Sequence, residues 1–596
     1  MISAGPESFG ERITNREAWA KVASNPAMDD IIGRAEELTA ESIPEMTDDL
    51  YLDCSRTGNR ERGQKVDFAH SARLSILTLA ECIENRGRFL PPLQKAIKTI
   101  CAERAWTYPA HDLNLEVFHG HAMRPDLRAT ALAFDLATAD YLLGDKLPKA
   151  TRQLLRDNIR KRVLLPFRGT VEGKLKEAYW LRITNNWNAV CLAGTLGAAL
   201  AIEPSTEERA WYVGASEKYI HSFLSGFAKD GYCYEGIGYW NYGFGHFIVL
   251  TEEIRKATKG RVDLFLLPEV QLPAQFGDRD EIVNGIYPSI SDVNPGQKPD
   301  PQWLRYVNER FQIATKPGLK YKNSVPTGNL AEAVFALFAE KPWPVAKTIA
   351  HGNDSPLRTW FNEGGVLIAR PGPDEPEPFA VVIKGGSNGE SHNHNDVGSF
   401  SVVLGRAMII CDPGAEVYTK RTFGTHRYDS DVLNSFGHAV PMVAGQLQAT
   451  GSSARAVVLR SDFTDAEDVL AFDLRSAYQV PGLKKLERTF DYRRGADAGL
   501  RVEDEVVFDS PEQFESALIT WGDWQEVATN EFKMTDGGEE LRVSVDTGGV
   551  PYTIRKTMIN ADVHTPRKPW HIGIALNRPV KEAKVTLTIR PMLKKD

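Results

Sequence analysis

Up to about Lys347, apolar residues recur at i, i+3, i+4 and i+7, the spacing of helices that bury one face. SARLSILTLAECIENRG, TALAFDLATADYLLGD, NWNAVCLAGTLGAALAIE and GFGHFIVLTEEIRKATKG all carry it. Gly closes several of them, as it does at helix C-termini. Pro-rich loops such as PFRGTVEGK and LPEVQLPAQFGDRD separate them and predict repeated helical hairpins, with no fixed-period sequence repeat. From Trp360 the runs shorten. FAVVIKGG, SFSVVLG, ARAVVLRS, LRVEDEVVF, ESALITW and VTLTIRP are rich in Val, Ile, Thr and Phe and are bounded by Gly, Asp and Pro turns. That pattern predicts an antiparallel all-β unit. The two regimes meet near KPWPVAKTIAHGNDSP, so the expected architecture is an α-helical domain over 1–350 followed by an antiparallel β-sandwich domain over 351–596.

Composition narrows the class without supplying a function. With 42% hydrophobic and 25% charged residues, the chain is globular and not disordered. A net charge of −8 argues against a nucleic-acid partner. No run approaches the length of an apolar membrane span, which predicts no membrane partner. The N-terminus MISAGPESFGERITNREAW lacks a basic region followed by an apolar run. It fits a cytoplasmic protein, or a periplasmic or secreted one whose export signal has been removed. The six cysteines show no C-x-x-C spacing and read as buried apolar residues.

Chemistry concentrates in three clusters. In GGSNGESHNHNDVGSFSVVLG, His392 and His394 form an H-x-H pair that an extended chain would aim the same way. Asp412 in ICDPG and His438 in NSFGHAVPMVAGQ stand at strand ends, and two His with one Asp make a divalent-metal set. In DGYCYEGIGYWNYGFGHFIVL, Tyr239, Tyr242 and His246 share one α-helical face, while Trp240, Phe244 and Phe247 read as core. In RITNNWNAVCLAG, Asn185, Asn186 and Asn188 exceed what a helix cap requires. Two further segments read as sugar-facing loops, one with Trp106, Tyr108 and His111, the other with His426, Arg427 and Tyr428. Phosphate-binding loops, dinucleotide fingerprints and nucleophile elbows do not occur.

NNWNAVCLAG, DGYCYEGIGYWNYG and above all SHNHNDVGSF…ICDPGAEVYT…NSFGHAVPMVAGQ resemble the heparinase II/III-like polysaccharide lyases, from roughly Trp106 to the end. The resemblance implies an (α/α) toroid followed by an antiparallel β-sandwich. It implies β-elimination on uronate-containing polysaccharides such as hyaluronan, chondroitin sulfate and heparan sulfate. By the same resemblance Tyr242 is the catalytic tyrosine, His392 the histidine across the cleft, and His394, Asp412 and His438 the ligands of one divalent ion. Asn186 or Asn188 neutralises the substrate carboxylate.

β-Elimination removes the C5 proton beside a uronate carboxylate and expels the C4 oxygen. Amide donors must offset the carboxylate charge. The base is Tyr242, if nearby positive charge lowers its pKa, or His392. Substrate contacts are expected from Trp106, His111, Tyr239, Arg427 and Tyr428. The metal's N and O ligands suit Zn²⁺ or Mn²⁺ in a structural role. The rivals are an exo-acting oligoalginate lyase, a hydrolase using Glu235 with Asp230, and a non-catalytic acidic-carbohydrate-binding protein.

Overall fold

The computed structural model describes residues 2–313, 325–338, 355–373, 375 and 378–592. The expected domain division at 350/351 lies outside the described residues. Through Phe338 the chain is helical, and its helices pair into the hairpins of an (α/α) toroid. An inner series runs Glu61–Glu84, Leu127–Leu143, Asn186–Ile202 and Gly245–Ala257, each packing on one of the others. Leu90–Ala102, Lys149–Ile159 and Thr206–Leu224 lie against this series, and Leu330–Phe338 returns to the first two. Asn186–Ile202 is buried over nearly all of its length, so its sequence is apolar all round and not striped. Close approach to Leu127–Leu143 depends on Gly194, where a Cβ would lie 2.7 Å from the Thr130 carbonyl carbon.

The remainder is antiparallel sheet. A five-stranded sheet is ordered Arg358–Phe361, Val366–Ala369, Phe379–Lys384, Phe400–Leu404, Ala407–Ile410. An eight-stranded sheet and a four-stranded sheet complete the sandwich. The five-stranded sheet is apolar on both faces because each face meets a different core. Val366, Ile368, Ala380, Val382 and Val403 pack with the helices. Leu367, Ala369, Val381, Ile383, Val402 and Leu404 pack with the other sheets. Side chains alternate along a strand, so one continuous apolar run can serve two cores. This sheet joins the β-region to the helices, and the loops after Lys384 and Ile410 meet the helical region at Asp292 and Val293.

Candidate active site

A loop of the helical region organises the site. Ser291 takes a left-handed backbone (φ 67°), its Oγ donates to the Tyr234 carbonyl, and the Val293 carbonyl accepts from Ala415 N at 3.0 Å. Between them stands Asp292, buried and bonded on both oxygens. Oδ2 accepts from His392 Nδ1 (2.9 Å) and the Tyr418 hydroxyl (2.9 Å). Oδ1 accepts from Arg427 (2.8 Å) and His394 Nε2 (3.1 Å). Burial pushes this carboxyl's pKa up, but the bonds from His392 and His394 and the Arg427 charge hold it well below the carboxylate range.

The H-x-H segment is a turn and not a strand, and His392 sits at φ 57°. Both rings nevertheless meet Asp292, one on each carboxylate oxygen, and differ in what their other nitrogens face. His392 stacks on Tyr239, with ring centroids 3.9 Å apart, and its Nε2 lies 3.2 Å from Glu235 Oε1. His394 turns inward beside His438.

Asn185 caps its helix, accepting from Trp187 N. Asn186 meets Glu235 twice, through its backbone N at 3.1 Å and its Nδ2 at 2.9 Å. Burial raises the Glu235 pKa, against the His392 charge and the Asn186 bonds. Asn188 is fully buried and its amide donates to the Trp180 and Leu181 carbonyls, so it does not reach the cleft. The rival hydrolase pair also separates. Asp230 accepts from the backbone N atoms of Tyr232, Glu363 and Gly364 and so holds a turn.

Tyr239 and Tyr242 do not share an α-helical face, because Trp240–Phe244 is a π-helical turn between Gly236–Tyr239 and Gly245–Ala257. Gly243 permits the turn to press on the Asn186 helix, since a Cβ there would lie 3.0 Å from Asn186 Cβ. The Tyr239 hydroxyl is 2.7 Å from that of Tyr418. Tyr242 packs edge-on against His246, keeps 38% of its surface open, and its hydroxyl has no hydrogen-bond partner among the described residues. Its pKa is raised well above the phenol value by burial, then by Tyr108, Cys191, Glu332 and Asp126. The expected positive neighbour that would make Tyr242 a base is replaced by acidic groups.

Two expected substrate contacts are structural. Trp106 is 2% exposed, and its indole N–H donates to the Ile100 carbonyl within the core. Arg427 is buried and spends its guanidinium on the Asn393 and Thr422 carbonyls and Asp292. It holds the His392–His394 turn and is not open to solvent. The Tyr428 hydroxyl donates to the same Asn393 carbonyl at 3.3 Å. His111 is half-buried, with Nδ1 2.6 Å from Asp126 Oδ2 and its ring 4.4 Å from that of Trp187.

His394, Asp412 and His438 bring one ligand atom each within 4.8 Å of one another, all buried. Among the described residues, His438 Nε2 and His394 Nδ1 have no hydrogen-bond partner, and His438 Nδ1 lies 3.3 Å from Asp412 Oδ2. Unsatisfied buried donors of N and O type fit a divalent cation. His394 Nε2 on Asp292 supplies the carboxylate that commonly orients a metal-ligating imidazole.

No protein-family profile and no curated protein matches the chain. Solved structures do. A heparinase III gene product aligns with TM-score 0.65 at 12% identity, over 99% of this chain and 87% of its own. The heparan sulfate lyase HepC mutant from Pedobacter heparinus gives 0.59 at 11%, over 96% and 88%. The Streptomyces coelicolor A3 chondroitin AC lyase, solved with chondroitin sulphate, gives 0.54 at 12%, over 97% and 82%. At these identities the likeness is one of fold.

Proposed function

From the heparinase III-like fold and the groups around His392, we propose that the protein is a polysaccharide lyase. It cleaves uronate-containing chains, glycosaminoglycans first, by β-elimination. One observation carries the reading: an imidazole set between the carboxyls of Asp292 and Glu235, stacked on Tyr239, with Asn186 bonded to the same Glu235. The substrate carboxylate lies against Asn186, which is positioned by its two bonds to Glu235, a carboxyl that burial makes harder to ionise. Asp292 fixes the Nδ1–H tautomer of His392 and leaves Nε2 to accept the C5 proton. The C5–H electron pair becomes the C4=C5 double bond, the C4–O bond breaks, and Tyr242 gives its proton to the departing oxygen. Its raised pKa suits an acid better than a base. Proton return from His392 to the tyrosinate through solvent closes the cycle. His394, Asp412 and His438 would hold Zn²⁺ or Mn²⁺, which supplies fixed positive charge and braces the turn carrying His392.

The test is incubation with hyaluronan, chondroitin sulfate, heparan sulfate and alginate while following the ultraviolet absorbance of the unsaturated uronyl product. Absorbance from any of them supports a lyase, and the polymer that gives it assigns the substrate. New reducing ends without absorbance would refute elimination in favour of hydrolysis. Binding without either product would leave a carbohydrate-binding protein.

A further inference from the structure

A polyanion must be gripped locally by a chain of net charge −8, and Arg427 is already committed. A different arginine is not. Arg56 and Arg62 pair with Asp49 and Asp53. Arg60, between them and immediately before the helix Glu61–Glu84, has no carboxylate or carbonyl partner among the described residues. Its guanidinium carbon lies 5.7 Å from the ring centroid of Tyr418 and 5.4 Å from that of Phe423. Contact with ring faces holds a guanidinium weakly and leaves its N–H donors unused.

Those two rings belong to the site. Tyr418 donates to Asp292, and Phe423 meets the His392 ring edge-on at 5.7 Å while remaining 55% exposed. Tyr108 and Tyr239 both feel the Arg60 charge, which opposes the rise that burial causes in each. The placement is held by backbone. Lys420 N donates to the Gly58 carbonyl at 3.1 Å, and Asn59 bridges Thr419. Gly58 has φ 81°, and a Cβ on it would stand 3.2 Å from Lys420 Cβ. The start of a helix and a loop of the β-region thus meet, with Arg60 over the exposed Phe423 ring and that ring beside His392.

We propose that Arg60 binds an anionic group, carboxylate or sulfate, on the sugar next to the one held at His392, with Phe423 as the face on which that sugar stacks. Arginine suits this task because its planar fork matches both anions in bidentate fashion. The proposal rests on the lyase reading for its substrate class, but its binding test does not need turnover.

Arg60→Gln and Arg60→Lys are compared with wild type on a sulfated glycosaminoglycan and on the same polymer after chemical desulfation. Tryptophan fluorescence gives Kd and the uronyl absorbance gives kcat and KM. Arg60→Gln should raise Kd and KM about tenfold or more with kcat within about threefold, and Arg60→Lys should recover part of the loss. A penalty confined to the sulfated polymer assigns sulfate, and an equal penalty on both assigns the carboxylate. Unchanged Kd on both polymers overturns the proposal. So does a fall in kcat and melting temperature at constant KM and Kd, which is what a purely loop-supporting residue would give. A wild type that binds polymer without forming uronyl product refutes the lyase reading and leaves the Kd comparison to decide on Arg60.

Discussion

Replacing Asp292 by Asn keeps the shape of the side chain and changes one atom and one charge. The amide has a single acceptor oxygen, so its orientation is forced. An NH₂ in the place of Oδ1 would face the Arg427 guanidinium, which is donor only, at 2.8 Å. The NH₂ therefore takes the place of Oδ2 and presents hydrogens to His392 Nδ1 and to the Tyr418 hydroxyl. His392 must then accept at Nδ1 and carry its proton on Nε2, where the base is needed. Loss of a correctly protonated general base is worth roughly 10²–10⁴-fold in kcat, with KM little changed. The same substitution leaves the buried Arg427 without its counter-charge, a loss of about 3 kcal/mol at the low end for breaking a buried ion pair, because the hydrogen bond to Oδ1 survives. Initial rates from the uronyl absorbance give kcat, urea denaturation gives the stability change, and elemental analysis of both proteins compares their metal content. An Asp292→Asn enzyme with kcat within tenfold of wild type would refute the tautomer argument, whatever its stability.

Tyr242→Phe should cost about 10²–10⁴-fold in kcat while leaving the melting temperature at the wild-type value, since the hydroxyl has no hydrogen-bond partner to lose among the described residues; normal turnover would move the acid elsewhere. The purified protein should contain close to one equivalent of Zn²⁺ or Mn²⁺, and its chelation should lower the melting temperature, with re-addition restoring it. Metal-free protein with an unchanged melting curve would remove that role. Asp67 lies buried beside Arg128 and Glu103, and burial raises its pKa to about 6. The folded state holds this proton more tightly than the unfolded one, so its contribution is complete below about pH 4 and is lost as pH rises through about 6. The stability of Asp67→Asn relative to wild type should therefore climb across that window by up to about 3 kcal/mol, and a flat difference would contradict the assignment.

The periodicities carried most of the fold, because the inner helices and the five-stranded sheet are sorted by burial and burial is written in apolar spacing. The His394, Asp412 and His438 cluster was legible as residue types in short motifs, and the structure gathers the three. Asp292 was not, since SDVNPG reads as an ordinary turn and reaches the site from 100 positions before His392. Glu235 was noticed only as half of a hydrolase pair. The π-helical turn has no spacing signature of its own, so Tyr239 and Tyr242 looked coplanar with His246. Trp106 and Arg427 were misread for a related reason: sequence shows that a side chain can stack or grip an anion, but not whether protein already occupies it.

The groups around His392 come from two successive halves of the polypeptide. Asn186, Glu235, Tyr242 and Asp292 emerge with the helices, whereas His392, Tyr418 and the cluster of His394, Asp412 and His438 arrive with the sheets. A chain that folds from its N-terminus would complete the helical half first. At that stage Asp292 would be a charge without the four partners that stabilise it, and Glu235 would lack His392. The half-built site is thus a source of instability that docking of the β-region relieves. Catalytic competence should be the last property to appear on refolding, later than the helical signal, so activity measures the completeness of the whole chain.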